Sequence, residues 1–242
     1  KVARMLTDIA SKEIVVTQMG HEKVSNPLLN MDQNRIDTDH VGPISEVKVG
    51  TNRPVWPQGE MMHQPDPSSK PDALNWDLWL GPAKEKPYTP NMHPFSWRGW
   101  WDYGTGALGD VGCHLIDIPF RTLGLKYPTS AECSVGSVFS KMWTPDYIPE
   151  GCPPSSLITI NFEATEKSKK PIQMTWSDGG IRPSHPEIIP ANSDIGGKDS
   201  LNGVLIIGEK GIISTNINDS SPLMPKLYRY DGTTEFGPEV EK

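Results

Sequence analysis

The chain has 242 residues, of which 36% are hydrophobic, and a formal net charge of −7. That length suffices for a sizeable core, and no apolar run is long enough for a membrane span or a signal peptide. Scattered charges with a net negative sign argue against binding to nucleic acid or to an anionic membrane surface. Three cysteines without C-x-x-C spacing indicate neither a disulfide framework nor a zinc site, and 24 prolines with 22 glycines predict a loop-rich α+β protein.

The chain begins with the pattern of a helix followed by a strand. Four apolar residues recur at helical spacing within residues 1–10, and the β-branched run at residues 14–17 is typical of a buried strand. This order predicts the end of an α/β unit. Residues 21–40 are polar with weak periodicity, so we expect a solvated loop there.

A strand and a long excursion come next. Residues 44–52 alternate well enough for a strand, whereas residues 54–94 are too rich in proline for long strands or helices. The tryptophans of the excursion are Trp56, Trp76 and Trp79. They favour an ordered excursion, packed by its own aromatic residues and lying over a site. His63 and His93 lack acidic or cysteine partners at metal-ligand spacing, so we interpret them as polar loop residues and expect no metal.

A tryptophan- and glycine-rich stretch leads into a helix predicted over residues 108–123. Its apolar residues follow the i, i+3, i+7, i+10 pattern of one buried side: Leu108, Val111, Leu115 and Ile118. Asp110, His114 and Asp117 stand at i, i+4 and i+7 on a different face. A carboxylate one turn from an imidazole, on a helix anchored in a core, suits proton transfer. The adjacent aromatic residues suit the flat apolar face of a sugar or a nicotinamide ring.

Simpler interpretations of these residues stand beside the catalytic one. An Asp–His pair at i, i+4 is most often an ordinary hydrogen bond, and Asp117 has a ready helix ion pair in Arg121. Cys113 is expected to be a small packing residue. Residues 104–109 fit G-x-G-x-x-G, but the residues before them do not have the pattern of a buried strand, so we interpret the glycines as a sharp turn with open space above it.

The remainder of the chain has the pattern of successive strands. We predict them at residues 130–139, 157–164, 172–176, 204–207, 212–215 and 226–230. The segment 208–211 has the pattern of a hairpin turn. Consecutive strands with few helices predict a largely antiparallel sheet. Residues 177–200 form a second Gly- and Pro-rich excursion, in which Arg182 and His185 are more simply surface residues than substrate ligands.

The stretch around the predicted helix resembles the signature helix of the Gfo/Idh/MocA family of NAD(P)-dependent oxidoreductases, in a bacterial branch. The resemblance covers nearly the whole chain in order. Its further pieces are Thr17-Gln18-Met19-Gly20, Val41-Gly42-Pro43-Ile44-Ser45-Glu46-Val47, Thr51-Asn52-Arg53-Pro54, Trp56-Pro57-Gln58-Gly59, Leu74-Asn75-Trp76-Asp77-Leu78-Trp79-Leu80-Gly81-Pro82 and Trp176-Ser177-Asp178-Gly179-Gly180.

The resemblance implies an α+β fold: an open, mostly antiparallel β-sheet with helices on one face, preceded by the last helix and strand of a Rossmann domain. Residues 1–19 would be the remnant of that dinucleotide-binding domain, and residues 20–242 the substrate-binding and oligomerisation domain. The main site for NAD or NADP, with the family's Glu-Lys-Pro lysine, would lie upstream of Lys1. The predicted strands within residues 157–216 carry apolar side chains at both odd and even positions, and therefore on both faces of the sheet. An apolar face that the helices do not cover favours a homo-oligomer through the sheet face.

By this resemblance the reaction is hydride exchange between NAD(P) and a hydroxyl-bearing carbon of a sugar, cyclitol or glycoside. His114 would be the proton acceptor, and Asp110 would orient the imidazole or hold a substrate hydroxyl. The substrate-binding residues would be Arg98, Trp100, Trp101, Tyr103 and Asp117.

Two alternatives stay open at this point. Some family members oxidise and re-reduce a sugar to cleave a glycosidic bond, with no net redox change. Alternatively, the chain is a binding or oligomerisation module without catalysis. The compartment is also open between the cytoplasm and, with a twin-arginine signal upstream, the periplasm.

Overall fold

A computed structural model describes residues 2–18, 29–58, 66–90, 92–146, 149–196, 202–218 and 221–236. Its helices are α1 (Val2–Glu13), α2 (Leu29–Asp37), α3 (Trp76–Leu80), α4 (Gly106–Leu115) and α5 (Asp117–Thr122). Its strands are β1 (Ile44–Gly50), β2 (Ser130–Val135), β3 (Val138–Lys141), β4 (Thr144–Asp146), β5 (Ser156–Phe162), β6 (Lys169–Ser177), β7 (Asn202–Gly208), β8 (Gly211–Asn218), β9 (Ser221–Arg229) and β10 (Thr234–Phe236).

An open eight-stranded sheet organises the molecule, in the order β10-β9-β8-β7-β1-β6-β5-β2. Its neighbouring strands are antiparallel except for β1 and β6, which run parallel with Val47 beside Met174. The predicted hairpin turn joins β7 to β8. The α+β fold and the mostly antiparallel sheet are therefore confirmed, with a parallel pair at the centre.

Helices α2, α4 and α5 cover one face of the sheet. Helix α2 packs on β9, and α4 and α5 pack on β7. The predicted apolar side of the site helix is confirmed, because Val111, Leu115 and Ile118 are buried and Leu108 packs against the same core. Facing them are residues such as Val47, Val49, Met174, Trp176, Val204 and Ile206. This core gives α4 a rigid base.

Part of the other sheet face is covered by the excursion between β6 and β7. Ile189 and Ile195 of the excursion pack on Leu205, Ile212 and Tyr228 of β7, β8 and β9. The apolar side chains of β7 and β8 that point away from the helices are thus covered within the chain. They no longer argue for a subunit contact. His185 has ring nitrogens 3.1 Å from the Pro186 carbonyl oxygen and 3.2 Å from that of Ser193, in keeping with a loop role.

Of the helix and the strand predicted at the N-terminus, only the helix forms. Helix α1 forms, but residues 14–17 form no strand, and Val16 is 100% exposed. A strand needs a neighbour for its backbone hydrogen bonds, and no described strand pairs with these residues. The apolar residues of α1, such as Leu6 and Ile9, are likewise exposed. No helix among the described residues has the length and apolar character needed to cross a membrane.

The prediction of a loop over residues 21–40 is wrong for its second half, where α2 forms. The helix carries Asp32 and Arg35, which are buried although polar. The Thr215 hydroxyl donates a 2.8 Å hydrogen bond to Asp32 Oδ2, and Arg35 Nη1 lies 3.8 Å from Asp32 Oδ1. Polar residues at buried helical positions weaken the apolar periodicity, which is why the pattern did not indicate a helix. Residues 21–28 lie outside the described part.

Burial raises the pKa of Asp32 to about 6. A folded-state pKa above the unfolded value of 3.8 means that the protonated form favours folding. We expect ionisation of Asp32 to lower the free energy of unfolding by about 3 kcal/mol as the pH rises from about 4 to about 7. Urea unfolding of wild type and Asp32→Asn at several pH values measures this, because the amide does not titrate.

Asp39 is the internal comparison for this measurement. Its ion pairs with Lys169 and Lys210 lower its pKa to about 2. The contribution of Asp39 to the stability of the fold is therefore lost only as the pH falls below about 4. An equal pH dependence of wild type and Asp32→Asn between about pH 4 and pH 7 would contradict the expectation for Asp32.

Two predicted elements are interrupted in the structure. The helix over residues 108–123 divides at Ile116 into α4 and α5, because Pro119 has no N–H to donate to the preceding turn. The predicted strand over residues 130–139 divides into β2 and β3. Strand β3 leaves the large sheet and pairs with β4 in a separate two-stranded sheet.

Candidate functional site

The chain enters α4 through a 3-10 helix, Ser96–Gly99, and a turn that requires glycine. A Cβ on Gly104 would lie 2.6 Å from the Arg98 carbonyl oxygen. Gly106 has a φ of +64°, and a Cβ there would meet Cys152 and Gln58 at 3.1 Å. Glycine tolerates both the close approach and the positive φ. The interpretation of these glycines as a sharp turn is therefore confirmed.

A cavity of about 430 Å³ lies over this turn and the first turns of α4. We call it the α4 cavity. Its lining consists of Trp97, Arg98, Trp101, Asp102, Tyr103, Gly104, Thr105, Gly106, Gly109 and Asp110. The volume is within the range of small-molecule sites. Trp101 is 51% exposed and offers an aromatic surface, whereas the hydroxyl oxygen of Tyr103 is buried and finds no hydrogen-bond partner among the described residues.

Arg98 and Asp110 form an ion pair in the wall of the α4 cavity. Arg98 Nε donates to Asp110 Oδ1 at 2.6 Å, and Arg98 Nη1 donates to the Phe95 carbonyl at 3.0 Å. The guanidinium carbon lies 4.3 Å from the Phe95 ring centroid and 4.6 Å from that of Trp97. Asp110 is thus held by Arg98, a partner that the i, i+4 spacing to His114 did not indicate.

Lys86 reaches the rim of the α4 cavity from the proline-rich excursion and forms an ion pair with Asp102. That contact raises the pKa of Lys86, whereas burial raises the pKa of Tyr103. Both groups therefore keep their protons at neutral pH. Neither Lys86 nor Asp102 stood out in the sequence, because no motif links two residues whose proximity depends on the path of a long excursion.

The aromatic residues of the excursion connect it to the α4 cavity. The rings of Trp76 and Trp79 stack with centroids 4.7 Å apart, and Trp79 lies 5.3 Å from the ring of Tyr103. Tyr88 and His93 pack edge-on against the same tryptophans. The expectation of an excursion ordered by its own aromatic residues is confirmed for residues 66–90 and 92–94. His63 lies outside the described residues.

The remaining predicted site residues are not part of the lining of the α4 cavity. His114 is half-buried, one helical turn beyond Asp110. Trp100 is buried and its backbone bridges to Gly151, so it supports the cavity wall from behind. Asp117 pairs with Arg121 at 3.8 Å, which is the helix ion pair that its spacing indicated. Cys113 is exposed, so its interpretation as a packing residue is wrong.

The glycine turn at residues 104–109 lacks the structural setting of a dinucleotide-binding turn. The G-x-G-x-x-G match follows a 3-10 helix rather than a strand, and Gln58 and Cys152 lie against Gly106 where a pyrophosphate would need to approach. Within the described ranges, no group of three or more His, Cys, Asp or Glu side chains is arranged to hold a metal ion.

Residues 45–133 match a family sequence model, the C-terminal alpha/beta domain of the Gfo/Idh/MocA oxidoreductase family. This match confirms the resemblance over residues 45–133. No curated protein sequence matches the chain.

Solved structures share the fold at low identity. An inositol dehydrogenase homolog from Azotobacter vinelandii, complexed with NAD+, is 15% identical with a TM-score of 0.53 over 97% of this chain and 46% of its own. An NAD binding oxidoreductase from Klebsiella pneumoniae is 14% identical with a TM-score of 0.52 over 97% of this chain and 50% of its own. The super-repressor mutant of Gal80p from Saccharomyces cerevisiae is 13% identical with a TM-score of 0.52 over 97% and 49%. The chain therefore spans about half the length of these proteins.

The chain by itself is expected not to bind NADH with micromolar affinity, because the glycine turn follows a 3-10 helix and not the buried strand that a dinucleotide-binding unit needs. Titration of NADH followed by its fluorescence tests this directly. Saturable binding with a micromolar dissociation constant would show that the 104–109 turn was misjudged.

Proposed function

We propose that the chain is the substrate-binding part of an oxidoreductase that exchanges a hydride between NAD(P) and a hydroxyl-bearing carbon of a sugar, cyclitol or glycoside. The observation that carries the proposal is the α4 cavity. It lies on the family's C-terminal domain and combines paired charged groups with an exposed aromatic surface. That combination suits a ring with hydroxyl groups on its edge and an apolar face.

In this proposal the residues of the chain bind the substrate hydroxyls and move the proton. A carbon releases hydride only as its hydroxyl loses its proton, so a base is needed near that oxygen. His114, on the rigid helix α4, is the proposed acceptor. Arg98, Asp102 and Asp110 are placed to contact hydroxyl groups, and Trp101 to cover the ring. NAD(P) would supply the hydride chemistry from a separate dinucleotide-binding domain.

The proposed domain arrangement assigns residues 1–19 to that dinucleotide-binding domain and residues 20–242 to substrate binding. Helix α1 supports it, because its apolar side is largely exposed, with Leu6 60% and Ile9 52% exposed. Within a Rossmann domain such a helix would lie against a parallel sheet.

The proposed homo-oligomer would form through the part of the sheet face that the second excursion, residues 177–200, does not cover. Leu157, for example, is 41% exposed on β5. Sedimentation of the protein at high micromolar concentration tests this proposal. A monomer under those conditions would contradict it.

The decisive experiment for the reaction is a product assay in the protein that includes the dinucleotide-binding domain. Incubation with NAD+ and a sugar or cyclitol is expected to give NADH and the oxidised carbonyl product, a ketone or a lactone, in equal amounts. Cleaved glycoside without net NADH would select the glycosidase or lyase alternative. Neither product across a panel of such substrates would contradict the proposed activity.

A further inference from the structure

The charges around the α4 cavity are balanced in pairs. Among the described residues, the charged members of its lining are Arg98, Asp102 and Asp110. Arg98 is neutralised by Asp110 at 2.6 Å, and Asp102 is neutralised by Lys86 from the excursion. Each cation therefore already has a carboxylate partner. A phosphate or carboxylate ligand would find no uncompensated cation in the cavity and would lie close to two carboxylates that repel it.

The backbone at Lys86 is held in place. The Trp76 indole donates to the Lys86 carbonyl oxygen at 2.8 Å, Trp76 stacks on Trp79, and Trp79 contacts the ring of Tyr103 in the cavity lining. The side chains of Lys86 and Asp102 are 27% and 36% exposed, so a ligand in the cavity can reach the pair. Glu150 also acts electrostatically on Lys86, which makes the rim still less favourable for an anion.

We infer that the α4 cavity binds a neutral polyhydroxylated ring and excludes phosphorylated and carboxylated sugars, with Asp102 as the residue that sets this preference by neutralising Lys86. The inference rests on the proposed function and narrows its substrate class. The paired groups still offer hydrogen bonds, because a carboxylate has lone pairs beyond its ion pair and an ammonium has three donors. Trp101 provides the surface for the apolar face of the ring.

The test compares three ligands that share one ring: glucose, glucuronate and glucose 6-phosphate. Binding to the chain, without cofactor, is followed by NMR shifts of the tryptophan indole N–H signals. Wild type is expected to bind glucose with a millimolar dissociation constant and at least about tenfold more tightly than either anion. Because no redox step is involved, failure of hydride transfer would leave this result unaffected.

The matched variants remove one or both charges at the rim of the cavity. Asp102→Asn leaves the Lys86 ammonium uncompensated, so affinity for the two anions relative to glucose should rise by about tenfold or more. The double variant Lys86→Met with Asp102→Asn removes both charges and should restore the neutral preference. Equal or tighter binding of an anion to wild type would overturn the inference. So would an unchanged ratio in Asp102→Asn, or no saturable binding of glucose.

Discussion

Replacement of His114 by asparagine, in the protein that carries the dinucleotide-binding domain, is expected to lower kcat by about 10²–10⁴ with the fold intact. Asparagine keeps a hydrogen-bonding group of similar volume but has no basic nitrogen that can accept the substrate proton. Because His114 is half-buried on a helix whose other side is in the core, the substitution leaves the packing of Val111 and Leu115 unchanged. Steady-state kinetics and a thermal melt of the same samples measure both properties.

The neighbouring residues provide matched controls for the His114 substitution. Cys113→Ala changes an exposed position on the same helix and should leave kcat unchanged. Asp110→Asn should cost less than His114→Asn, because Asp110 is held by Arg98 and its proposed role is orientation or binding. A normal kcat in the His114→Asn variant would contradict the proposed base.

Replacement of Trp176 by alanine is expected to reduce the free energy of unfolding by about 3–5 kcal/mol. Trp176 is fully buried in the core between the sheet and α4, and its indole N–H donates to Asp178 Oδ2 at 2.8 Å. Alanine leaves a large cavity and removes a donor from a buried carboxylate. Urea unfolding at neutral pH measures the loss.

Trp176→Phe separates the two contributions, because phenylalanine fills most of the volume without the N–H. We expect it to cost about 1–3 kcal/mol. Asp178 keeps its bonds from the Ser156 amide at 2.5 Å and the Ser156 hydroxyl at 2.7 Å. Burial already raises the pKa of Asp178, and loss of a donor raises that pKa further, so the Phe variant should lose more stability as the pH rises. An alanine variant within about 1 kcal/mol of wild type would show that this motif does not anchor the core.

The position of the α4 cavity follows from residues that are close in sequence, whereas its charge pairing does not. Trp97, Arg98, Trp101, Tyr103 and Asp110 lie within one short stretch, so a turn followed by a helix brings them together. Lys86 meets Asp102 only because the stacked tryptophans of the excursion return its chain to the same place. Asp110 likewise pairs with Arg98 through a turn whose shape depends on glycine contacts with Arg98. No periodicity encodes such contacts.

The sequence by itself determined the buried side of α4 and the strands of the large sheet other than β10, because side-chain periodicity is a local property. The resemblance to the family rests on the identity and order of the motif residues. It did not determine the second half of residues 21–40, where Asp32 and Arg35 of α2 are buried polar residues that meet Thr215 of β8 and Glu235 of β10. It also predicted a strand at residues 14–17, which have the composition of a strand but no partner among the described strands. Tertiary structure decided these points, because burial of a charge and pairing of a strand both depend on residues far away in the chain.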